Sequence, residues 1–208
     1  MKFLVISDTH GKHNELSLPK ADVIIHAGDI SSRGYEQEVM DFLKWFDRLD
    51  YKYKIFIAGN HDFLFERESD EVLQKLIPPG IIYLNDSAIE IEGIKIWGSP
   101  ITPWFFNWAF NRNRGEAISR HWEIIPDDIR ILVTHGPPFS ILDKTLKKEH
   151  VGCEDLLQKI LEIKPGFHLF GHIHEAYGIF KNNDTTFINA SVLDANYNLR
   201  NEPVVFEI

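Results

Sequence analysis

The chain has 208 residues, a net charge of −9 at pH 7, 44% hydrophobic residues and a single cysteine, Cys153. This length is enough for one sizeable core, no apolar run approaches the roughly 20 residues of a membrane span, and one cysteine excludes an internal disulfide. The acidic balance disfavours long nucleic acid as a partner, and the lack of a signal-peptide pattern leads us to expect a cytoplasmic protein.

Short apolar segments alternate with amphipathic ones along the chain. In chain order, strands are predicted at 2–6, 22–27, 54–58, 95–97, 130–134, 168–170, 185–189 and 203–207. Helices are predicted at 35–49, 70–77 and 154–163, because their apolar residues recur every three or four positions. This alternation predicts an α/β fold in which helices cover sheets. No linker divides the chain, so we expect one domain over 1–208.

Residues that can bind metal follow five of the predicted strands. Ligand sites in α/β proteins form beyond the carboxyl ends of strands, so these residues should meet in one crevice. The five segments are Ser7-Asp8-Thr9-His10-Gly11, His26-Ala27-Gly28-Asp29, Ala58-Gly59-Asn60-His61-Asp62, Thr134-His135-Gly136 and Gly171-His172-Ile173-His174.

The candidate ligands are two carboxylates, four imidazoles and one amide oxygen. Mixed nitrogen and oxygen ligation suits Mn, Fe, Zn or Co, and suits Mg less well. Seven ligands are too many for one tetrahedral ion, and they are about right for two ions that share a carboxylate. The glycines beside them (Gly28, Gly59, Gly136 and Gly171) are expected to allow positive φ or close backbone approach.

The ordered motifs Asp-x-His, Gly-Asp, Gly-Asn-His-Asp, His and Gly-His-x-His resemble those of the calcineurin-like metallophosphoesterase superfamily. Segments such as Gly98-Ser99-Pro100, Pro103-Trp104-Phe105 and Val151-Gly152-Cys153 resemble its metallophosphoesterase-domain-containing, class III cyclic-nucleotide phosphodiesterase-like subgroup. The likeness covers essentially the whole chain. It implies a single-domain, four-layer α-β-β-α sandwich in which two sheets pack face to face with helices outside.

The resemblance also implies a role for each motif residue. Two divalent cations are expected, with Mn as an effective activator. One is held by Asp8, His10 and His174, the other by Asn60, His135 and His172, and Asp29 bridges both. The implied catalytic residues are Asp29, Asn60 and His61. Asn60 and His61 would also contact the substrate, and His61 can give a proton to the leaving oxygen.

One segment departs from the pattern of the protein phosphatases in this superfamily. In Gly28–Gly34, Ser32 stands where those enzymes have an aspartate that supports the catalytic histidine. This disfavours a protein phosphatase. Arg33 is a candidate phosphate contact, although the simpler interpretation is a solvated or salt-bridged surface residue.

The expected activity is hydrolysis of small phosphoesters, in particular phosphodiesters such as cyclic nucleotides. The alternatives are a phosphomonoesterase or protein phosphatase, and a non-catalytic scaffold on the same fold. The aromatic segment 103–110 is either a plug that packs on the core or a wall that stacks a nucleobase. His26 and His168 are expected in the core or behind the ligands, and His13 at the surface or in a loop.

Overall fold

The computed structural model describes residues 1–208, which form thirteen strands and five α-helices. The strands are β1 (Lys2–Ile6), β2 (Val23–Ala27), β3 (Tyr53–Ile57), β4 (Ile81–Tyr83), β5 (Ser87–Ile91), β6 (Ile94–Ser99), β7 (Thr102–Pro103), β8 (Asn111–Arg112), β9 (Ile131–Thr134), β10 (Phe167–Phe170), β11 (Gly178–Lys181), β12 (Thr186–Asn189) and β13 (Val204–Glu207). The helices are α1 (Glu36–Arg48), α2 (Phe63–Arg67), α3 (Asp70–Leu76), α4 (Glu116–Glu123) and α5 (Glu154–Ile163).

Two sheets carry most of the strands. The first has the order β13-β1-β2-β3-β4, in which β1 to β4 run parallel and β13 is antiparallel to β1. The second has the order β11-β12-β10-β9-β6-β5, with a parallel centre and an antiparallel strand at each edge. The parallel centres explain the nearly continuous apolar runs in the sequence, because both faces of such strands are buried.

The two sheets pack face to face. Alternate residues of β1 show how this works, since Phe3 and Val5 belong to a buried cluster with Val133 and Leu169 of the second sheet. Leu4 belongs to a second cluster outside the sheets, which includes the apolar sides of α1, α4 and α5. The predicted four-layer α-β-β-α sandwich is confirmed.

The segments that follow β1 and β12 join the two sheets at their carboxyl edge. The Ser7 amide donates to the Ala190 carbonyl at 2.9 Å, and the Val192 amide donates to the Ser7 carbonyl at 3.0 Å. The ends of β1, β2, β3, β9 and β10 therefore face one crevice, as the sequence predicted.

Two further observations concern single elements. His13 lies in the connection between β1 and β2, but it is not at the surface. It is 1% exposed, because its ring packs on Phe42 and Trp45 and its Nε2 lies 3.2 Å from Asp41 Oδ2. None of the helices is both long and apolar enough to pass through a bilayer.

Candidate metal centre

The crevice brings all seven candidate ligands together. The donor atoms of Asp8, His10 and His174 lie within 4.8 Å of one another, and those of Asp29, His135 and His172 do the same. The Asn60 Oδ1 lies 2.9 Å from His135 Nε2, which adds it to the second group.

Asp29 lies between the two groups. Its Oδ2 is 3.6 Å from His10 Nε2 on one side and 3.3 Å from His135 Nε2 on the other. Its Oδ1 accepts a hydrogen bond from the His61 amide at 2.8 Å. The arrangement is the one expected for a carboxylate shared by two ions.

The site is buried and needs positive charge. Asp8 and Asp29 are 0% and 2% exposed, and no lysine or arginine pairs with either carboxylate. Burial alone would lower the pKa of His135, but the Asp29 carboxylate raises it to about 9. Without metal, a protonated His135 balances the buried negative charge. Cations would do this more fully, since they also neutralise Asp8.

Two other imidazoles in the site, those of His10 and His172, stay neutral. At His174, by contrast, the Asp8 carboxylate outweighs the effect of burial and raises the pKa of the imidazole. Burial lowers the pKa of His10 to about 4 and that of His172 to about 3. The Nδ1 of His10 is buried and has no hydrogen-bond partner. Neutral imidazoles offer the lone pairs that metals require, so the chemistry of the donor set fits divalent cations.

Four of the candidate ligands have a left-handed backbone. The φ angles are +56° for Asp8, +41° for His10, +57° for Asp29 and +69° for His172. Each such residue costs on the order of 1–3 kcal/mol, and such strain concentrates at functional sites. The surrounding structure therefore holds these side chains in place against a local preference.

Three of the four glycines beside the ligands act as the sequence predicted, and Gly136 does not. Gly28 has φ +99°. A Cβ on Gly59 would lie 2.3 Å from Asp29 Oδ1, and one on Gly171 would lie 2.0 Å from Asp8 Oδ2. Gly136 is less constrained, since its nearest neighbour would be a Thr102 methyl at 3.3 Å.

Asp62 supports the site from behind, and the sequence analysis missed this role. Its carboxylate accepts hydrogen bonds from the amides of Ile30, Ser31 and Gly59 at 2.8–3.1 Å and from the Ser31 hydroxyl. It thereby ties the loop after β2 to the loop after β3. Burial, with the nearby Asp29, raises its pKa to about 6.

His61 lies beside the donors, and two contacts fix its orientation. Its Nδ1 donates to the Ser32 carbonyl at 2.7 Å, and its ring stacks on Trp108 with the ring centres 4.1 Å apart. A backbone carbonyl of Ser32 thus orients this histidine where the protein phosphatases use an aspartate. A ring nitrogen of His61 lies within 4.8 Å of the ligand atoms of His10 and Asp29. Its Nε2 forms no hydrogen bond within the chain and can therefore meet a substrate.

Comparison with known proteins decides the family. Residues 1–176 match the family model described as calcineurin-like phosphoesterase. The chain belongs to the calcineurin-like phosphoesterase family. This phosphoesterase is 41% identical to human Metallophosphoesterase domain-containing protein 1, over all of the chain and 71% of the relative. It is 34% identical to UPF0046 protein K07C11.7 of Caenorhabditis elegans, over all of the chain and 75% of the relative. A solved structure from Thermus thermophilus aligns with a TM-score of 0.59 and 14% identity over 90% of this chain and 88% of that one, which shows the fold alone.

These findings confirm both the superfamily and the subgroup expected from the motifs. The phosphoesterase is thus a hydrolase that depends on divalent metal ions, and its two donor groups could hold them.

The phosphoesterase has a cavity of about 320 Å³ beside the donors, lined by Asn60, His61, His172 and His174 on one side. Trp104, Phe105 and Trp108 line it on another side. Trp104 and Phe105 are more than half exposed, whereas Phe110 at the end of the same segment is buried. The segment 103–110 is therefore a cavity wall at its start and a core element at its end.

Tyr197 also lines this cavity, and no motif in the sequence pointed to it. Its ring centre lies 5.1 Å from that of His10 and 5.0 Å from that of His174. Its φ is +60°, which is unusual for a bulky residue. Arg33, by contrast, does not line the cavity but lies in a neighbouring groove, so its contact with substrate stays a prediction.

Proposed function

We propose that the phosphoesterase hydrolyses phosphodiesters of small substrates such as cyclic nucleotides, with two divalent cations and with Mn as an effective activator. The observation that carries the proposal is Asp29, whose Oδ2 lies within 3.6 Å of imidazoles from both donor groups. Asp8, His10 and His174 would hold one cation, Asn60, His135 and His172 the other, and Asp29 both.

When bound, the cations supply Lewis acidity and make water nucleophilic at neutral pH. The protein supplies the rest. Asn60 and His61 face the cavity, where they can orient a phosphoryl group. Nδ1 of His61 donates to the Ser32 carbonyl and Nε2 is free, so the imidazolium form of His61 can give its Nε2 proton to the leaving oxygen.

The charge of the cavity favours diesters over monoesters. Arg114 belongs to its lining, but its guanidinium is engaged with the carbonyls of Val151 and Gly152 and with Glu154. The lining therefore adds no free lysine or arginine charge to that of the cations, which suits a diester better than the more highly charged monoester. The aromatic wall also gives room for a second ester group, which a nucleobase would fill by stacking.

We further propose that 1–208 acts as one domain. The family match ends at residue 176, yet β12 and β13 complete the two sheets. A cytoplasmic location remains a prediction from the sequence.

The proposal is tested by removing metal with a chelator and restoring it with Mn, Fe, Zn, Co or Mg in turn. Hydrolysis of bis-nitrophenyl phosphate should exceed that of nitrophenyl phosphate, and a panel of cyclic nucleotides and dinucleotides should contain the better substrates. A preference for the monoester would favour the phosphomonoesterase alternative. No turnover with any metal would favour the scaffold.

Two variants separate metal binding from proton donation. Asp29→Ala should lower kcat by at least about a thousandfold, because both donor groups lose their shared ligand. His61→Ala should lower kcat by about 10²–10⁴-fold and leave the metal content, measured by elemental analysis, at two ions per chain. Near-normal turnover in Asp29→Ala, or loss of metal in His61→Ala, would contradict these roles.

The aromatic wall is tested at Trp104 rather than Trp108, because Trp108 stacks on His61 and its loss would disturb the catalytic histidine. Trp104→Ala should lower kcat/KM about tenfold for a nucleotide diester, the value of one stacked base. The rate with bis-nitrophenyl phosphate should change less. Equal losses on both substrates would remove the stacking role.

A further inference from the structure

A second groove adjoins the cavity on the side of His61. It has a volume of about 530 Å³ and an open shape, and we call it the arginine groove. Its lining includes Arg33, Tyr35, Phe63, Arg67, Phe106 and Trp108.

Trp108 is the boundary between the arginine groove and the cavity, since it lines both. Its ring stacks on that of His61, with the ring centres 4.1 Å apart, and its ring centre lies 5.9 Å from that of Phe63. Arg33 follows Ser32, whose carbonyl orients His61. The groove therefore begins next to the residue that, under the proposed function, protonates the leaving oxygen.

The two arginines of the groove are free to bind a ligand. Neither guanidinium forms an ion pair, and the same is true of Arg48 and Arg130, whereas Arg112, Arg114, Arg120 and Arg200 are paired. Both side chains are exposed. The two unpaired guanidinium groups form a local positive charge in a chain with a net charge of −9. The planar N–H groups of a guanidinium can donate two hydrogen bonds to the oxygens of one phosphate.

The aromatic residues of the groove complement these charges. Tyr35 and Phe106 are 62% and 66% exposed, so their rings are available for contact. Arginines that bind phosphate beside aromatic faces that stack bases are the combination that recognises short single-stranded nucleotides. A hydrophobic partner would not use the guanidinium groups.

We propose that the arginine groove is the leaving-group subsite and takes a nucleotide that carries its own 5′-phosphate. The preferred substrates would then be short 5′-phosphorylated oligonucleotides. This inference rests on the proposed function. In the reaction, the oxygen of water bonds to phosphorus and the bond from phosphorus to the 3′-oxygen breaks. That oxygen leaves with the bonding electrons and takes a proton from His61, while the attacking water loses one to solvent.

The test compares the dithymidylates pTpT and TpT, which differ only in the 5′-phosphate, and includes bis-nitrophenyl phosphate as a reference. Wild-type kcat/KM should be about tenfold higher for pTpT than for TpT, since charge-assisted hydrogen bonds to an exposed phosphate are worth about this factor. The product should be two molecules of thymidine 5′-monophosphate.

The variants are Arg67→Gln alone and Arg33→Gln with Arg67→Gln. The double variant should bring the ratio of pTpT to TpT close to one and weaken competitive inhibition by thymidine 5′-monophosphate about tenfold. Arg67→Gln should fall between it and wild type. Arg48→Gln, an exposed arginine without an ion pair at the end of α1, is the matched control and should keep the wild-type ratio.

The outcomes separate this inference from the function on which it rests. Absence of bis-nitrophenyl phosphate hydrolysis overturns both. Two outcomes overturn the leaving-group subsite alone, provided that bis-nitrophenyl phosphate is hydrolysed. Either the wild type shows equal kcat/KM for pTpT and TpT, or the double variant keeps the wild-type preference for pTpT. Release of thymidine and thymidine 3′,5′-bisphosphate would also overturn it, because the phosphorylated nucleotide would not be the leaving group.

Discussion

His168 shows how a buried residue outside the ligand set can position the site. Its Nε2 lies 2.8 Å from Thr134 Oγ1, and that hydroxyl donates to the Gly136 carbonyl at 2.7 Å. These bonds fix the segment that carries His135. The Nδ1 of His168 has no partner, and burial lowers the pKa of the imidazole to about 3.

This lowered pKa predicts a loss of stability in acid. Between pH 6.5 and about 3 the unfolded chain binds a proton at His168 that the folded chain does not, so the free energy of unfolding falls as pH falls through that window. In the metal-free protein, His168→Gln should reduce the slope of unfolding free energy against pH by up to about 1.4 kcal/mol per pH unit. Urea unfolding at several pH values measures this slope. Thr134→Val keeps the titrating imidazole, so an equally shallow slope in this control would refute the assignment.

Residue chemistry explains which parts of the site could be predicted. The seven ligands were predictable because carboxylates and imidazoles at strand ends form a pattern along the sequence. Asp62 and Tyr197 were not, since one acts through backbone amides of two separate loops and the other reaches the site from a turn near the C-terminus. Neither contact leaves a trace in local spacing.

At the scale of elements, the sequence predicted the central strands and three helices. All eight predicted strands and the helices α1, α3 and α5 are present with small shifts at their ends. The strands that it missed are short or lie at sheet edges, such as β4, β5 and β11, and it also missed the helices α2 and α4. An edge strand lies half in solvent, so its apolar pattern is weaker than that of a buried strand.

The strand-end glycines give a prediction at this scale. Gly171→Ala would place a Cβ 2.0 Å from Asp8 Oδ2 and 2.2 Å from Ser7 Oγ, so the ligand carboxylate must move. Affinity for Mn, measured by calorimetry, should fall more than about tenfold, with an overpacking cost of about 1–3 kcal/mol in stability. Gly80→Ala is the control, because its nearest neighbour would be Asp47 Oδ1 at an ordinary 3.4 Å. Unchanged Mn affinity in Gly171→Ala would show that the close approach is not needed.

At the scale of the whole molecule, strand pairing is the feature that the sequence left open. The pair of β13 with β1 joins Glu207 to Lys2, at opposite ends of the chain. Such pairing depends on packing in the core and not on the pattern of neighbouring residues. The alternation of strands and helices therefore predicts sheets covered by helices, but it does not predict that β13 pairs with β1.

Phe206 of β13 connects the two sheets. Its ring stacks on Phe3 of β1 at 5.1 Å and on Phe167 of β10 at 4.4 Å. Phe206→Ala should therefore destabilise the metal-free protein by about 2 kcal/mol, less than a fully buried phenylalanine because the side chain is only half-buried.

Phe180→Ala provides the comparison for Phe206, because Phe180 is 46% exposed on the edge strand β11 and its ring centre lies 6.0 Å from that of Phe187. It should cost clearly less in the same urea titration. If 1–208 is one domain, far-UV circular dichroism and tryptophan fluorescence should report a single coincident transition in both variants. Two separated transitions, or equal costs at the two positions, would mean that β13 does not tie the sheets into one cooperative unit.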